Sequence, residues 1–167
     1  MAVDLYLSIP GLTDEPGTQE TGTATIDSVQ YLQISTFEFS VAGQQGQSSG
    51  ASGAGAGKAE FSPFSITLPV DKATPQLFQA CAAGKVFPTA TVLVQDSGAA
   101  PALTTQQYAF RLVVVQSLAV SASADSDQQS VSFAYGSLSI SYTPVTAQGQ
   151  PGTPVNAGWN LTTNQAV

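Results

Sequence analysis

The stretch SGAGAGKAEFSPFSITLPV, residues 52–70, decides between two folds, because its glycines close on a lysine as in a phosphate-binding loop. Such a loop needs a glycine where Ser52 stands, a hydroxyl side chain where Ala59 stands, and a helix directly afterwards. The residues after the lysine are instead apolar at every second position, the period of a β-strand, at Phe64, Ile66, Leu68 and Val70. The stretch therefore predicts a glycine-rich loop leading into a strand, and no nucleotide cofactor.

The same alternation recurs along most of the chain in short runs separated by turn residues. The apolar members of these runs are Leu5, Leu7 and Ile9; Phe37, Phe39 and Val41; Ala90, Val92 and Val94; Tyr108, Phe110, Leu112 and Val114; Val131, Phe133 and Tyr135; and Leu138, Ile140 and Tyr142. The phase slips after Leu32 and Ile34, and again at Gly136, as expected at β-bulges. The pattern predicts a mainly β fold of about eight short strands, either an antiparallel sandwich or a small closed barrel.

One segment, DKATPQLFQACAAGK at residues 71–85, has helical signals instead. Thr74 suits the N-cap, Pro75 the first helical position and Gly84 the end, which predicts a flanking helix over about residues 75–83. Three apolar side chains share one face of that helix and are expected to pack on the sheet: Leu77, Phe78 and Cys81. No cation flanks Cys81 on its face, so we interpret it as a small buried residue rather than a reactive thiol.

Residues 43–58 contain six glycines in sixteen positions and few bulky side chains, and residues 148–157 are also rich in Pro and Gly. Loops of this length within a compact domain usually make a contact or stay disordered. We predict that residues 43–58 form a long extended loop. The whole chain, residues 1–167, is predicted to be a single domain.

Composition excludes several classes of function. The chain has no histidine and one cysteine, which rules out Ser-His-Asp and Cys-His catalysis and cysteine-based zinc sites. Four Lys and Arg against eleven Asp and Glu give a net charge of −7, so nucleic acid and anionic membranes are not expected partners. The start, MAVDLYLSIPGL, lacks the features of a secretory signal or a membrane span, so we expect a cytoplasmic protein, with export open to a route that reads no leader peptide.

Carboxylates are the remaining acid-base groups, and a glycosidase needs two of them across a cleft. The candidates are Glu38, Glu60, Asp71, Asp96, Asp125 and Asp127, but their neighbours place them on strand surfaces and in turns. Asp125 and Asp127 are too few ligands to predict a calcium site. We therefore predict no catalytic residues, no metal and no cofactor.

An alternative that the residues leave open is a monomeric β-sandwich binding module that uses Trp159 and nearby tyrosines to bind carbohydrate.

Five segments resemble, in order and spacing, the Hcp family, which forms the tube of the bacterial type VI secretion system. They are MAVD at residues 1–4, the pair Phe37 and Phe39, PVDKATPQLFQACAAGKVFPTATVLV at 69–94, SISYTP at 139–144 and GWN at 158–160. The resemblance implies a small β-barrel with one flanking helix that assembles into hexameric rings, which stack into a tube driven outward by a contractile sheath. It implies as partners further copies of the chain, effector proteins inside the ring, and the sheath and spike proteins.

With that resemblance, residues 43–58 are interpreted as a loop that reaches from one ring to the next. Its small polar residues offer backbone groups but no apolar anchor, so each contact would be weak and multiplied by the symmetry of the ring. The residues expected to make the contact are Gln44, Gln45, Gln47, Ser49, Ser52 and Lys58.

Overall fold

The computed structural model describes residues 2–14, 23–43 and 58–167, and these form one helix and thirteen strands. The elements are β1 Val3–Ser8, β2 Thr23–Ile26, β3 Val29–Ile34, β4 Thr36–Glu38, β5 Val41–Ala42, β6 Glu60–Phe61, β7 Phe64–Pro69, α1 Thr74–Ala83, β8 Val86–Asp96, β9 Leu103–Ala122, β10 Asp127–Ala134, β11 Ser137–Tyr142, β12 Val155–Asn160 and β13 Gln165–Ala166. The predicted mainly β fold with one helix is confirmed. The predicted run Phe37 to Val41 covers the short strands β4 and β5, whereas no predicted run covers β2, β6, β12 or β13. A strand of two to four residues is too short to show a period, and β12 shows no apolar alternation.

All strand pairs are antiparallel, and eleven strands form one open sheet. Its main path is β13-β12-β11-β9-β8-β1-β3-β2. β10 pairs with the second half of β9 and leads through β7 to β4, so the sheet branches at β9. The strands β5 and β6 pair with each other and form a separate ribbon.

The core lies where the two branches and α1 meet, and alternate strand residues fill it. Four phenylalanines at its centre are at most 2% exposed: Phe64, Phe87, Phe110 and Phe133. The stacking of Phe64 on Phe133, with ring centroids 4.7 Å apart, joins the paired strands β7 and β10 from within. The inward positions predicted in β1, β7 and β10 are confirmed.

The helix begins one residue earlier than the predicted start, at Thr74, so Thr74 is not its N-cap. The cap is Ala73, which makes no side-chain hydrogen bond; instead the Asp71 carboxylate accepts from the Ala73 N–H at 2.9 Å. The predicted end is confirmed, because Gly84 has a φ of 62°, a left-handed conformation that glycine adopts without strain.

The predicted inner face of α1 was wrong at Phe78. Leu77 and Ala80 are buried and Cys81 is half-buried against the core, whereas the Phe78 side chain is 65% exposed. Adjacent residues differ by about 100° around a helix, so a face centred between Leu77 and Ala80 leaves Phe78 on its outer side.

The predicted inward run of β9 was wrong after Phe110. Leu112 is 59% exposed, and the buried residues beyond it are Val113 and Val115. The backbone of Leu112 has a φ of 54°, which reverses the side on which the next residues point. The second predicted slip, at Gly136, is confirmed. β10 and β11 both pair with β9 and run in the same direction, and the chain leaves the strand conformation between them at Gly136.

Candidate assembly surfaces

The two ends of the sheet path carry short strands with one neighbour each among the described residues. β2 pairs with β3 at one end, and at the other β13 covers β12 only at Trp159 and Asn160. The first residues of β12 therefore present an open edge, on which Val155 is 68% exposed. Edges of this kind are templates for pairing with another chain.

Gly158 holds the C-terminal residues against β12. A β-carbon on Gly158 would come within 3.0 Å of the Val167 Cγ2 atom, and the Val167 N–H donates to the Gly158 carbonyl at 3.2 Å. The absence of a side chain at Gly158 thus allows the chain end to pack on this strand.

The β5–β6 ribbon carries the chain out of the sheet after Ser40 and returns it before Ser62. The Ser40 N–H donates to the Ser62 hydroxyl at 2.7 Å, and the Ser62 N–H donates to the Ser40 carbonyl at 2.9 Å. Val41, expected to alternate inward, is 53% exposed in this ribbon. The ribbon fixes the direction in which residue 43 leaves and residue 58 returns.

A depression of about 360 Å³ lies at the base of the ribbon. It is lined by Lys58, Ala59, Glu60, Phe61, Trp159, Leu161 and Asn164. The indole N–H of Trp159 is buried and has no hydrogen-bond partner. No tyrosine lines this depression, and burial of Tyr108 and Tyr135 in the aromatic cluster raises the pKa of both phenols. At this depression Trp159 is therefore not accompanied by a lining tyrosine, as the carbohydrate alternative expects.

The outer face of β4, β7 and β10 is lined with hydroxyl groups. Thr36 and Thr67 share a hydrogen bond at 2.6 Å between their Oγ1 atoms, and Ser65 and Ser132 share one at 3.0 Å between their Oγ atoms. The register continues both rows across the sheet, to Ser130 and Ser117 respectively. We call this the hydroxyl face, with the members Thr36, Ser65, Thr67, Ser117, Ser130 and Ser132.

The candidate carboxylates lie at a helix start, in a turn and on the exposed surface. Asp71 caps the start of α1, and the Asp96 carboxylate accepts from the Gly98 N–H at 2.9 Å in a turn. The others are exposed: Glu38, Glu60, Asp125 and Asp127. Within the described ranges, no three His, Cys, Asp or Glu side chains gather as a metal site would require.

Comparison with known proteins gives the family. Residues 6–142 match the family model described as "Type VI secretion system effector, Hcp". The chain belongs to the Hcp family. Protein hcp1 of Pseudomonas aeruginosa strain PAO1 is 29% identical over 110 residues, which cover 64% of this chain and 68% of that protein.

Solved Hcp structures share the fold of this chain. A type six secretion system protein superposes with a TM-score of 0.83 at 24% identity, covering 99% of this chain and 100% of the other. Hcp1 from Salmonella typhimurium superposes with a TM-score of 0.74 at 22% identity over the full length of both. The resemblance drawn from the five segments is thereby confirmed at the level of family and fold.

The residues predicted to stack rings fall mostly outside the described part of this Hcp-family chain: Gln44, Gln45, Gln47, Ser49 and Ser52. Lys58 is exposed beside β6, and the residues after it form strands rather than the helix of a phosphate-binding loop. The aromatic pair of the resemblance lies elsewhere, at the margin of the core. Phe37 and Phe39 are half-buried, with ring centroids 4.9 Å and 5.6 Å from that of Tyr108.

Sequence reasoning missed the hydroxyl face, although its signal was present. Serine and threonine alternate with buried apolar residues in β7 and β10, which indicates one polar uncharged face.

Among the described residues, no helix has the length and hydrophobicity of a membrane span.

Proposed function

We propose that this chain is a structural subunit of the inner tube of a type VI secretion system. In this proposal, copies assemble into hexameric rings, the rings stack, and effector proteins are carried inside them. The match to the Hcp family over residues 6–142 supports this role. The proposal contains no catalytic step.

The observation that carries the assembly is the open sheet. One end is β2 and the other is the start of β12, so each copy has two different edges to cover. A contact that joins one surface of a copy to a different surface of the next is heterologous, and it closes into a ring when the rotation fits. Ring closure would cover edges that otherwise promote aggregation.

The hydroxyl face suits the lining of a channel for proteins. Four of its six hydroxyls are hydrogen-bonded to each other in cross-strand pairs, and Glu38 lies at its margin, opposite Ser65. A surface of uncharged hydroxyls offers a passing protein neither a strong electrostatic attraction nor an apolar area to adhere to. We place the effector path along this face.

Residues 43–58 are proposed to contact the next ring. The contact residues are those expected from the sequence: Gln44, Gln45, Gln47, Ser49, Ser52 and Lys58. Replacement of residues 46–57 by a two-residue Asn-Gly turn should leave single rings intact and weaken stacking, measured by particle length in electron micrographs. Loss of the ring itself would contradict this assignment. A clear thermal stabilisation of the parent protein by ATP and magnesium would contradict it in favour of a phosphate site.

The sheath and spike proteins are the further partners in this proposal. The subunit would be made in the cytoplasm and would leave the cell through the machine. Neither nucleic acid nor a membrane is a partner, since a net charge of −7 does not favour contact with phosphate groups.

Native mass spectrometry and negative-stain microscopy of the purified chain test the function directly. Six-subunit particles that appear as rings with a central channel are expected. A 17.1 kDa monomer at micromolar concentration, with measurable glycan binding, would overturn the proposal in favour of the binding module.

A further inference from the structure

Leu112 combines an exposed apolar side chain with a sterically costly backbone. It is 59% exposed, and its φ of 54° lies in the region that residues with a β-carbon rarely adopt. Strained backbone persists where the surrounding structure enforces it, and it concentrates at functional positions. Burial of Leu112 in the core of its own subunit does not explain the conformation.

The neighbours of Leu112 make room for its side chain. A β-carbon at Gly136 would come within 3.1 Å of the Leu112 Cδ1 atom, so Gly136 allows the leucine to lie across it. The Gly136 N–H donates to the Arg111 carbonyl at 2.8 Å, which fixes the two strands at this point. The leucine is therefore held outward by its surroundings.

Further apolar residues extend this position into a surface. Val86, Val114 and Ala134 lie directly opposite one another on three adjacent strands, and Val86 is 56% exposed. Arg111, one of four cations in the chain, is exposed beside Leu112. We call these residues the Leu112 surface: Val86, Arg111, Leu112, Val114 and Ala134.

The charge of the chain indicates which partner binds the Leu112 surface. An apolar area with one arginine is typical of the centre of a protein interface, and a carboxylate is the partner that binds a guanidinium most strongly there. The chain carries eleven acids, among them Glu38, Asp125 and Asp127, which are exposed. A second copy therefore offers the complementary charge.

The position of the surface also favours a second copy. The register runs from Arg111 through Ser137 and Asn160 to Gln165 on the end strand β13. Three strand spacings place Arg111 roughly 14 Å from that edge of the sheet. A chain that pairs with β13 therefore lies close to the Leu112 surface.

We propose that the Leu112 surface is one half of the contact between neighbouring copies of this chain, with exposed carboxylates of the neighbour facing Arg111. This assignment rests on the proposed function, because it names the surface by which the ring closes.

Two substitutions test the assignment, and a matched control is available. Leu112→Gly removes the side chain and permits the positive φ without strain, so the subunit should fold with an unchanged circular dichroism spectrum. Val86→Asp places a charge in the surface, and Val120→Asp makes the same change on β9 at nearly equal exposure, 56% against 55%. Sedimentation velocity across a dilution series measures assembly.

Leu112→Gly and Val86→Asp should each raise the concentration of half-assembly by about tenfold or more, and Val120→Asp should leave it unchanged. If both variants assemble at the wild-type concentration, the Leu112 surface is not the contact between copies, although the ring itself is still supported. This result is expected if a different partner binds the surface. Equal weakening by Val120→Asp would also overturn it. A monomeric wild-type protein would instead refute the ring itself.

Discussion

The rings of Phe64 and Phe110 stack with their centroids 4.0 Å apart and their planes 23° from parallel, although the two residues lie on strands that are not paired with each other. Phe64 belongs to β7 in one branch of the sheet, and Phe110 belongs to the half of β9 that pairs with β11 in the other. The contact therefore joins the two branches through the core, and both rings are fully buried.

Phe110→Ala should lower the free energy of unfolding by about 3 to 5 kcal/mol, because it removes a fully buried ring and leaves a cavity. Urea denaturation at one protein concentration measures the loss. Phe39→Ala is the control, since Phe39 is half-buried at the margin of the same cluster and should cost less. Equal losses would show that the stack does not carry the contact between the branches.

Two adjacent residues of α1 can be compared, because Leu77 is buried and Phe78 is exposed. Leu77→Ala should cost about 2 to 5 kcal/mol, since Leu77 is 1% exposed. Phe78→Ala should change the stability of the monomeric chain by no more than about 0.5 kcal/mol, as is usual for surface positions. Thermal melts at a low protein concentration measure both. A larger loss for Phe78→Ala would mean that the helix turns its other face to the core.

Gln129 is 1% exposed in β10, and its amide is half-satisfied. Its Nε2 donates to the Pro69 carbonyl at 3.2 Å, while its Oε1 has no partner. Gln129→Met keeps the shape and removes the unpaired oxygen, so stability should change by less than about 1.5 kcal/mol.

Gln129→Glu should be much more damaging at neutral pH, because it places a carboxylate where Oε1 already lacks a donor. Burial raises the pKa of such a carboxyl in the folded state above its unfolded value. The stability of this variant is thus greatest at low pH and falls as pH rises above the unfolded pKa. Urea midpoints at pH 4 and pH 8 measure this; similar midpoints at both would mean that the side chain reaches water.

Alkaline pH should destabilise the fold through Tyr135. Burial raises the pKa of its phenol to about 12 from the ordinary value of 10.0, and the hydroxyl donates to the Ser62 carbonyl at 2.9 Å. The unfolded chain loses this proton first, so the stabilisation is complete below pH 10 and is lost as pH rises from 10 to 12.

Tyr135→Phe should cost about 1 kcal/mol at pH 8 through the lost hydrogen bond and should reduce the loss above pH 10. The remaining loss is expected because burial also raises the pKa values of Tyr6, Tyr31 and Tyr108. Urea titrations at pH 8, 10 and 11.5 measure the effect. Wild-type stability that is constant across this range would contradict it.

Periodicity predicted the strands in which one face is buried throughout, such as Phe64, Ile66 and Leu68 in β7. It failed at Leu112 because both strands of a pair slip there together: Arg111 and Leu112 face outward, and so do Pro88 and Thr89 opposite them. Because both strands slip together, the pairing of β8 with β9 keeps its register. No residue type in β9 indicates the slip.

The helix face was harder to predict, because Leu77 and Phe78 are adjacent and both apolar. Which of them is buried depends on the angle at which the helix meets the sheet, and that angle is set by distant residues. The proposed contact with neighbouring copies would depend on a second chain, so the pattern within one chain indicates such a surface only as apolar residues left exposed.

The length of β9 has a mechanical consequence. This strand of twenty residues is hydrogen-bonded on one side to β8, from Leu103 to Val114, and on the other side to β11 and β10. A force applied along its axis loads these ladders in shear, so many hydrogen bonds must break together. A force on the C-terminal strand β13 instead peels two residue pairs one after the other. A subunit pushed from behind would therefore yield first at its chain end, while β9 continued to transmit the load.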